Sequence, residues 1–155
     1  MKSLIIYYSG YKGNTEKIAQ CFAKEIGSEL INIKDANDVD IKDYNLIGFG
    51  SGVYRESMSP KLFKLVENMN LRHKNVFVFS TSGVGLKFYN RKLIKLLESK
   101  GAINKGSFAC KGSFVAQQFT DKKLFGIIGR LSQGHPNDKD IKKAKKFIKG
   151  ILDLL

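Results

Sequence analysis

Five short apolar runs punctuate the chain, and most end in small or glycine-rich residues. "SLIIYY" (3–8) is unbroken, with β-branched and aromatic members. That is the pattern of a strand buried on both faces of a parallel sheet. "ELINI" (29–33) and "YNLIGFGSG" (44–52) predict a second and third strand, "NVFVFSTSG" (75–83) a fourth and "GSFAC" (106–110) a fifth. Between them the apolar period changes to that of a helix. Ile18, Ala19, Phe22, Ala23 and Ile26 share one helical face, and Gly27 follows as a stop. Ser59-Pro60 opens a second helix with a capping hydroxyl and a proline at the first helical position. Its buried face is Leu62, Leu65, Val66 and Met69. A third helix covers about 90–100, with Leu93, Ile94, Leu96 and Leu97 inward and Gly101 after it. The last runs from about 138 to the end, with Ile141, Ala144, Phe147, Ile148, Ile151, Leu152 and Leu155 as its stripe. Lys139, Lys142, Lys143, Lys145, Lys146 and Lys149 make its other face.

Strands alternating with helices imply parallel pairing, right-handed crossovers and a doubly wound α/β sheet. Ligands bind such sheets beyond the carboxyl ends of the strands. Three of those ends are unusual: "SGYKGNT" (9–15), "GSGVYRE" (50–56) and "STSGVG" (80–85). One such segment reads as a turn or helix cap; three on one sheet edge are harder to read that way. The first segment leads straight into a helix whose opening amides lack intrahelical partners and carry partial positive charge. An anion is favoured there. Gly10 and Gly13 permit close approach, Ser9, Asn14 and Thr15 add donors, and Lys12 adds charge. A Walker loop does not fit, because Lys12 precedes Gly13 instead of following a glycine at the helix start. GxGxxG does not fit either: "GVGLKF" carries two of its glycines, and "GFGSG" has the wrong spacing. A phospho-acceptor receiver needs carboxylates after the first strand, where this chain has Ser9 and Gly10.

At 155 residues and 43% hydrophobic, the chain suits one globular domain over 1–155 with a full core. No apolar run reaches the roughly 20 residues of a membrane span. "MKSLIIYYSG" lacks a signal-peptide cleavage pattern, so a cytoplasmic protein is expected. Cys21 and Cys110 stand far apart with no CxxC, and they are expected to be buried or half-buried thiols, with no metal site. The net charge of +13 comes from 23 Lys and 4 Arg. It reflects either the base composition of the source or an acidic partner or anionic surface. Nucleic acid is a poor candidate, because the basic residues are not interleaved with stacking aromatics.

"IIYYSGYKGNTEKIA" (5–19) resembles the phosphate loop of flavodoxins, in which a hydroxyl residue, a short spacer and Gly-Asn-Thr open the first helix. "FGSG" followed by Tyr54 resembles the second flavin segment, "VFVFSTSG" the third, and "GHPNDKDIKKAKKF" the approach to the last helix. The closing element is most similar to flavodoxin-like proteins of the protoporphyrinogen-oxidase type. The resemblance implies a flavodoxin-like three-layer sandwich: a five-stranded parallel sheet in order 2-1-3-4-5 with helices on both faces. It implies non-covalent FMN. Ser9, Gly10, Tyr11, Lys12, Gly13, Asn14 and Thr15 would hold the phosphate. Ser51, Gly52, Val53 and Tyr54 would line one side of the ring, with Gly52 free to turn its carbonyl. Thr81, Ser82, Gly83 and Gly85 would meet the other side. The implied function is one-electron transfer with redox partner proteins, which the charge suggests are acidic. The alternative is an FMN oxidoreductase acting on a quinone, porphyrinogen or similar small molecule.

The chain departs from most flavodoxins in being basic, in carrying Lys12 in the phosphate loop and in having no tryptophan to stack on a flavin. Tyr54, Phe88 or Tyr89 would replace it, although Phe88 and Tyr89 are first expected to pack in the core. Segment 112–137 is long for a connection. Phe114, Phe119, Phe125, Ile127 and Ile128 argue against disorder, so it is a cover over the flavin edge, an apolar docking surface, or an unplaced helix and strand. His135, beside Pro136, is expected to be a turn residue.

Overall fold

A computed structural model describes residues 1–10, 12–34, 36–114 and 123–155, with no side-chain account of 123–125. Tyr11, Phe119 and the side chain of Phe125 therefore lie outside what is described. In chain order the elements are β1 (Ser3–Tyr8), α1 (Asn14–Ile26), β2 (Glu29–Asn32), β3 (Leu46–Tyr54), β4 (Ser57–Met58) and α2 (Pro60–Glu67). There follow β5 (Asn75–Ser82), a 3₁₀ turn (Lys87–Asn90), α3 (Arg91–Ser99), β6 (Ile103–Lys111), α4 (Lys123–Ser132) and α5 (Asp138–Leu152). The sheet order is β2-β1-β3-β5-β6, all parallel, with β4 antiparallel on β3. With β4 set aside, this is the expected 2-1-3-4-5.

Alternation along β5 sorts the core. Val76 and Val78 join Leu62, Leu65 and Val66 of α2 and Leu93 and Leu97 of α3 on one face. Phe77 and Phe79 join Ile18 and Phe22 of α1 and Ala144, Ile148 and Ile151 of α5 on the other. On that second face Phe22 meets Phe79, Phe77 and Phe108 edge-on, at 5.1, 5.6 and 5.7 Å between ring centres. The rings of Phe77 and Phe79 lie over Gly48 and Gly50 of β3, where any side chain would collide with them.

Several expectations need correction. The second glycine segment is mostly strand: β3 runs to Tyr54 and folds back as β4, pairing Val53 with Met58 and Tyr54 with Ser57. The turn between them, Arg55 and Glu56, sits at φ 47° and 67°. Such turns favour Asn-Gly, so Arg-Glu gave no signal for a hairpin. β6 begins three residues before the expected strand, at Ile103, because a register shift opposite Val76 to Val78 absorbs Gly106 at φ 150°. Ser59 and Pro60 head α2, but no side chain caps it; the Ser59 amide instead donates to Ser51 Oγ at 2.9 Å. Leu152 and Leu155 are exposed, so the inward stripe of α5 ends at Ile151. Phe88 projects into solvent instead of joining the core, and Tyr89 is half-buried. Segment 112–137 contains α4. Among the described residues no helix is long and apolar enough to cross a membrane.

Candidate functional site

Strand register brings the three segments together. Tyr8 pairs with Ser51, Ser51 with Ser80, Gly52 with Thr81, and Thr81 with Cys110. Ser9, Ser51-Gly52 and Thr81-Ser82 are thus neighbours along one carboxyl edge. A buried hydrogen bond of 2.9 Å between Thr15 Oγ1 and Thr81 Oγ1 ties the first segment to the third.

Gly13 is the residue before α1, in the left-handed region at φ 65°, and no side chain caps the helix from that position. Ser9 Oγ reaches back to accept the Glu16 amide at 3.4 Å. The positive end of α1 therefore faces the sheet edge beside Gly10, Gly13 and the exposed Lys12. Two amide side chains brace this loop. Asn32 Nδ2 donates to the Ser9 carbonyl at 3.4 Å, and Asn14 Nδ2 to the Ser113 carbonyl at 2.8 Å. That bond uses one of the two Asn14 Nδ2 hydrogens, and the Asn14 backbone amide lies in the first turn of α1.

The second segment is half-buried beyond Ser51. Ser51 Oγ donates to the Gly52 carbonyl at 2.6 Å. Tyr54 stands edge-on to Tyr8, with 6.0 Å between ring centres. Burial raises the pKa of the Tyr54 phenol, while a hydrogen bond with the Gly10 backbone acts the other way. Tyr54 therefore bridges the first and second segments. In the third, Ser82 Oγ accepts the Gly85 amide at 2.8 Å, and the Ser82 carbonyl accepts the Gly112 amide at 2.9 Å. A side chain at Gly83 would begin 2.3 Å from Phe114 and 2.9 Å from Ile128 of α4, so both residues close over that loop.

The sequence model described as the flavodoxin domain matches residues 4–137. The chain belongs to the flavodoxin family. A curated relative, an uncharacterised protein of Methanocaldococcus jannaschii, is 39% identical over 152 residues, covering 98% of this chain and 99% of that protein. Oxidised flavodoxin 1 of Bacillus cereus matches in fold, with a TM-score of 0.72 and 20% identity over 100% of this chain and 99% of that one. A Lactobacillus acidophilus flavoprotein solved in complex with FMN matches at a TM-score of 0.54 and 27% identity, covering 68% of this chain and 91% of that one.

Flavodoxins typically bind FMN, and the residues present here fit its phosphate end. The head of α1 lacks a side-chain cap at Gly13, small residues leave room beside it, and a lysine stands next to it. Sequence reasoning missed the bracing partners. Asn32 at the end of β2 and Ser113 in the long connection are polar residues at strand ends, and that position was their only signal. It also missed Tyr8 as the partner of Tyr54.

Beneath the loop, Tyr7 donates to Glu16 Oε1 at 3.0 Å and is only 4% exposed. Burial first, then the Glu16 carboxylate, pushes its phenol up to about 12. An unfolded tyrosine ionises near pH 10. Between about pH 10 and 12 the unfolded chain sheds this proton while the folded chain keeps it, so stability falls as pH rises. Tyr7→Phe is expected to remove that contribution, up to about 1.4 kcal/mol per pH unit. Urea unfolding at pH 9 and pH 11 should show a shallower alkaline decline than the parent; parallel declines would contradict the assignment.

Cys110 is buried beside Asp140, and burial followed by that charge raises its thiol to about 12, so it stays protonated and unreactive. His135 is a turn residue, as expected. Its Nδ1 lies 2.5 Å from Asp140 Oδ2, and its carbonyl accepts both the amide and the hydroxyl of Ser113. Asp140 also completes a capping box with Asn137 at the head of α5. The GHPND turn thereby holds Ser113, which in turn holds Asn14.

Proposed function

We propose that the chain, as one domain over 1–155, binds FMN without a covalent link and serves as a one-electron carrier. The observation that carries this reading is the head of α1, uncapped at Gly13 and set at the carboxyl edge of the sheet between two other small-residue segments. Bound FMN supplies the ability to take up and release electrons one at a time. The protein supplies binding and orientation. Ser9, Gly10, Tyr11, Lys12, Gly13, Asn14 and Thr15 would hold the phosphate, chiefly through backbone amides, with Lys12 offsetting its charge. Ser51, Gly52, Val53 and Tyr54 would line one side of the ring, and Thr81, Ser82, Gly83 and Gly85 the other. The Thr15–Thr81 bond fixes the spacing between the phosphate loop and the third segment.

A second reading, an FMN oxidoreductase acting on a quinone, porphyrinogen or similar molecule, is favoured by Phe114 and Ile128, which form an apolar wall over Gly83. The carrier reading is preferred because, among the described residues, Leu86 and Phe88, just past that loop, are exposed to solvent. Purified protein should be yellow, release FMN on denaturation and, once stripped, rebind FMN in a calorimeter. A colourless preparation that gives no heat with excess FMN would exclude both readings. Turnover with quinones in a steady-state assay, without transfer to any redox protein, would select the second.

A further inference from the structure

The rim of the third segment carries an exposed apolar surface that the fold does not need. Beyond the turn at Gly85, Leu86 and Phe88 are 53% and 63% exposed. Across Gly83, which packs on Ile128 of α4, the same helix sends Ile127 and Leu131 outward at 53% and 62% exposure. Large exposed apolar residues gathered beside a candidate site mark an interaction surface more often than chance scatter does.

Along these two described segments every charged side chain is basic, while the exposed Glu56 immediately precedes β4, which lies against the 3₁₀ turn. Arg91 stacks its guanidinium 5.3 Å from the centre of the Phe88 ring, and Lys87 and Arg130 are exposed beside the apolar groups. Lys111 ends the neighbouring strand, paired with Ser82. From Gly83 to Lys92, and from Lys123 to Ser132, there is no acidic residue. Asp121, two residues before α4, lies outside the described residues, and after α4 the first exposed carboxylate is Asp138 at the head of α5. Arginine and aromatic residues are enriched at the centres of protein interfaces, and surrounding charges select the partner by sign. A second copy of a chain of net charge +13 is repelled from this face.

We propose that Leu86, Phe88, Ile127 and Leu131, with the basic Lys87 and Arg91 beside the first two, form the docking face for an acidic redox protein. The proposal names the partner class for the carrier reading and rests on it for its purpose, but the binding it predicts does not require FMN. A reduced partner docked there would lose one electron, and FMN held at the adjacent site would supply the acceptor.

The probe is an acidic plant-type [2Fe–2S] ferredoxin, titrated into the FMN-free and FMN-loaded protein at low and high ionic strength. Ferredoxin should bind both forms and weaken steeply with salt. Lys87→Glu with Arg91→Glu should weaken it by about 10-fold or more and flatten the salt dependence. Phe88→Ser should weaken it by about 5-fold and leave the salt dependence alone. FMN affinity, measured separately, should be unchanged in Lys87→Glu with Arg91→Glu. Ferredoxin binding without any FMN binding would support this face while overturning the carrier reading. Ferredoxin binding indifferent to all three substitutions, or equal binding of the basic protein cytochrome c, would overturn the proposal. So would binding to phosphatidylserine vesicles that Phe88→Ser abolishes, in place of ferredoxin binding.

Discussion

Ser9→Asp should weaken FMN binding by about 30- to 150-fold while leaving the protein as stable as before. The two effects separate because the same atom position serves the helix and the ligand differently. Ser9 Oγ accepts the Glu16 amide at a long 3.4 Å, in the first turn of a helix with no cap at Gly13. A carboxylate there is a stronger acceptor and favours the positive end of α1, a gain of about 0.5 kcal/mol. The nearby Glu16 carboxylate, which holds Tyr7, offsets part of that gain. A phosphate monoester carrying about −1.5 to −2 charges at neutral pH meets the new carboxylate as a like charge. Unit charges about 4 Å apart repel by about 4 kcal/mol at a surface-like dielectric, and partial exposure reduces this to about 2–3 kcal/mol. Riboflavin has the same ring and no phosphate, so its binding should change by less than about 3-fold. Calorimetry with both ligands decides. Equal loss of FMN and riboflavin would mean that Ser9 supports the ring or the fold, and that the phosphate lies elsewhere.

Most of the fold was legible because its signals are local. "SLIIYY" could only be a doubly buried strand, and the α1, α2 and α3 stripes place the predicted residues inward. The sheet order came from the family resemblance, which "GNT" and the two other glycine segments carried, since order is not readable from periodicity. What was missed is non-local or atypical. The β3–β4 hairpin turns on Arg55 and Glu56, residues that seldom adopt positive φ, and is held by the burial of Met58. The bulge in β6 depends on register against β5. The bracing bonds from Asn32 and Ser113 join residues 23 and 99 positions apart in the chain. The exposure of Phe88 shows the limit of hydrophobicity as a guide: an aromatic at the start of a helix reads as core whether the fold buries it or sets it out for a partner.

Gly50→Ala should destabilise the protein by about 3 kcal/mol, against the usual sign for such a change in a strand. Glycine inside a strand weakens it, because the backbone entropy lost on folding is greatest there and no side chain packs, so alanine is normally favoured by about 0.5–1 kcal/mol. Here the position is filled by another residue. A methyl on Gly50 would begin 2.1 Å from Cζ of Phe79, with both Cε atoms within 2.4 Å. Phe79 is its direct partner on β5, is fully buried, and is held edge-on by Phe22 at 5.1 Å and stacked with Phe77 at 6.2 Å. The ring has no free direction, so the strands must separate or the aromatic cluster must shift. The companion change Phe79→Leu leaves a void alone but makes room for the methyl. The double variant should therefore be more stable than the sum of the two single effects predicts, by at least about 1 kcal/mol. Urea unfolding of the FMN-free protein measures all four corners of that cycle, and additive effects would show that ring and glycine are not in contact. Gly50 immediately precedes Ser51 and pairs with Tyr7 beneath the phosphate loop. The single variant should then also lose FMN affinity, and the double variant should regain part of it. This would link the aromatic packing on one face of the sheet to the spacing of the binding segments at its edge.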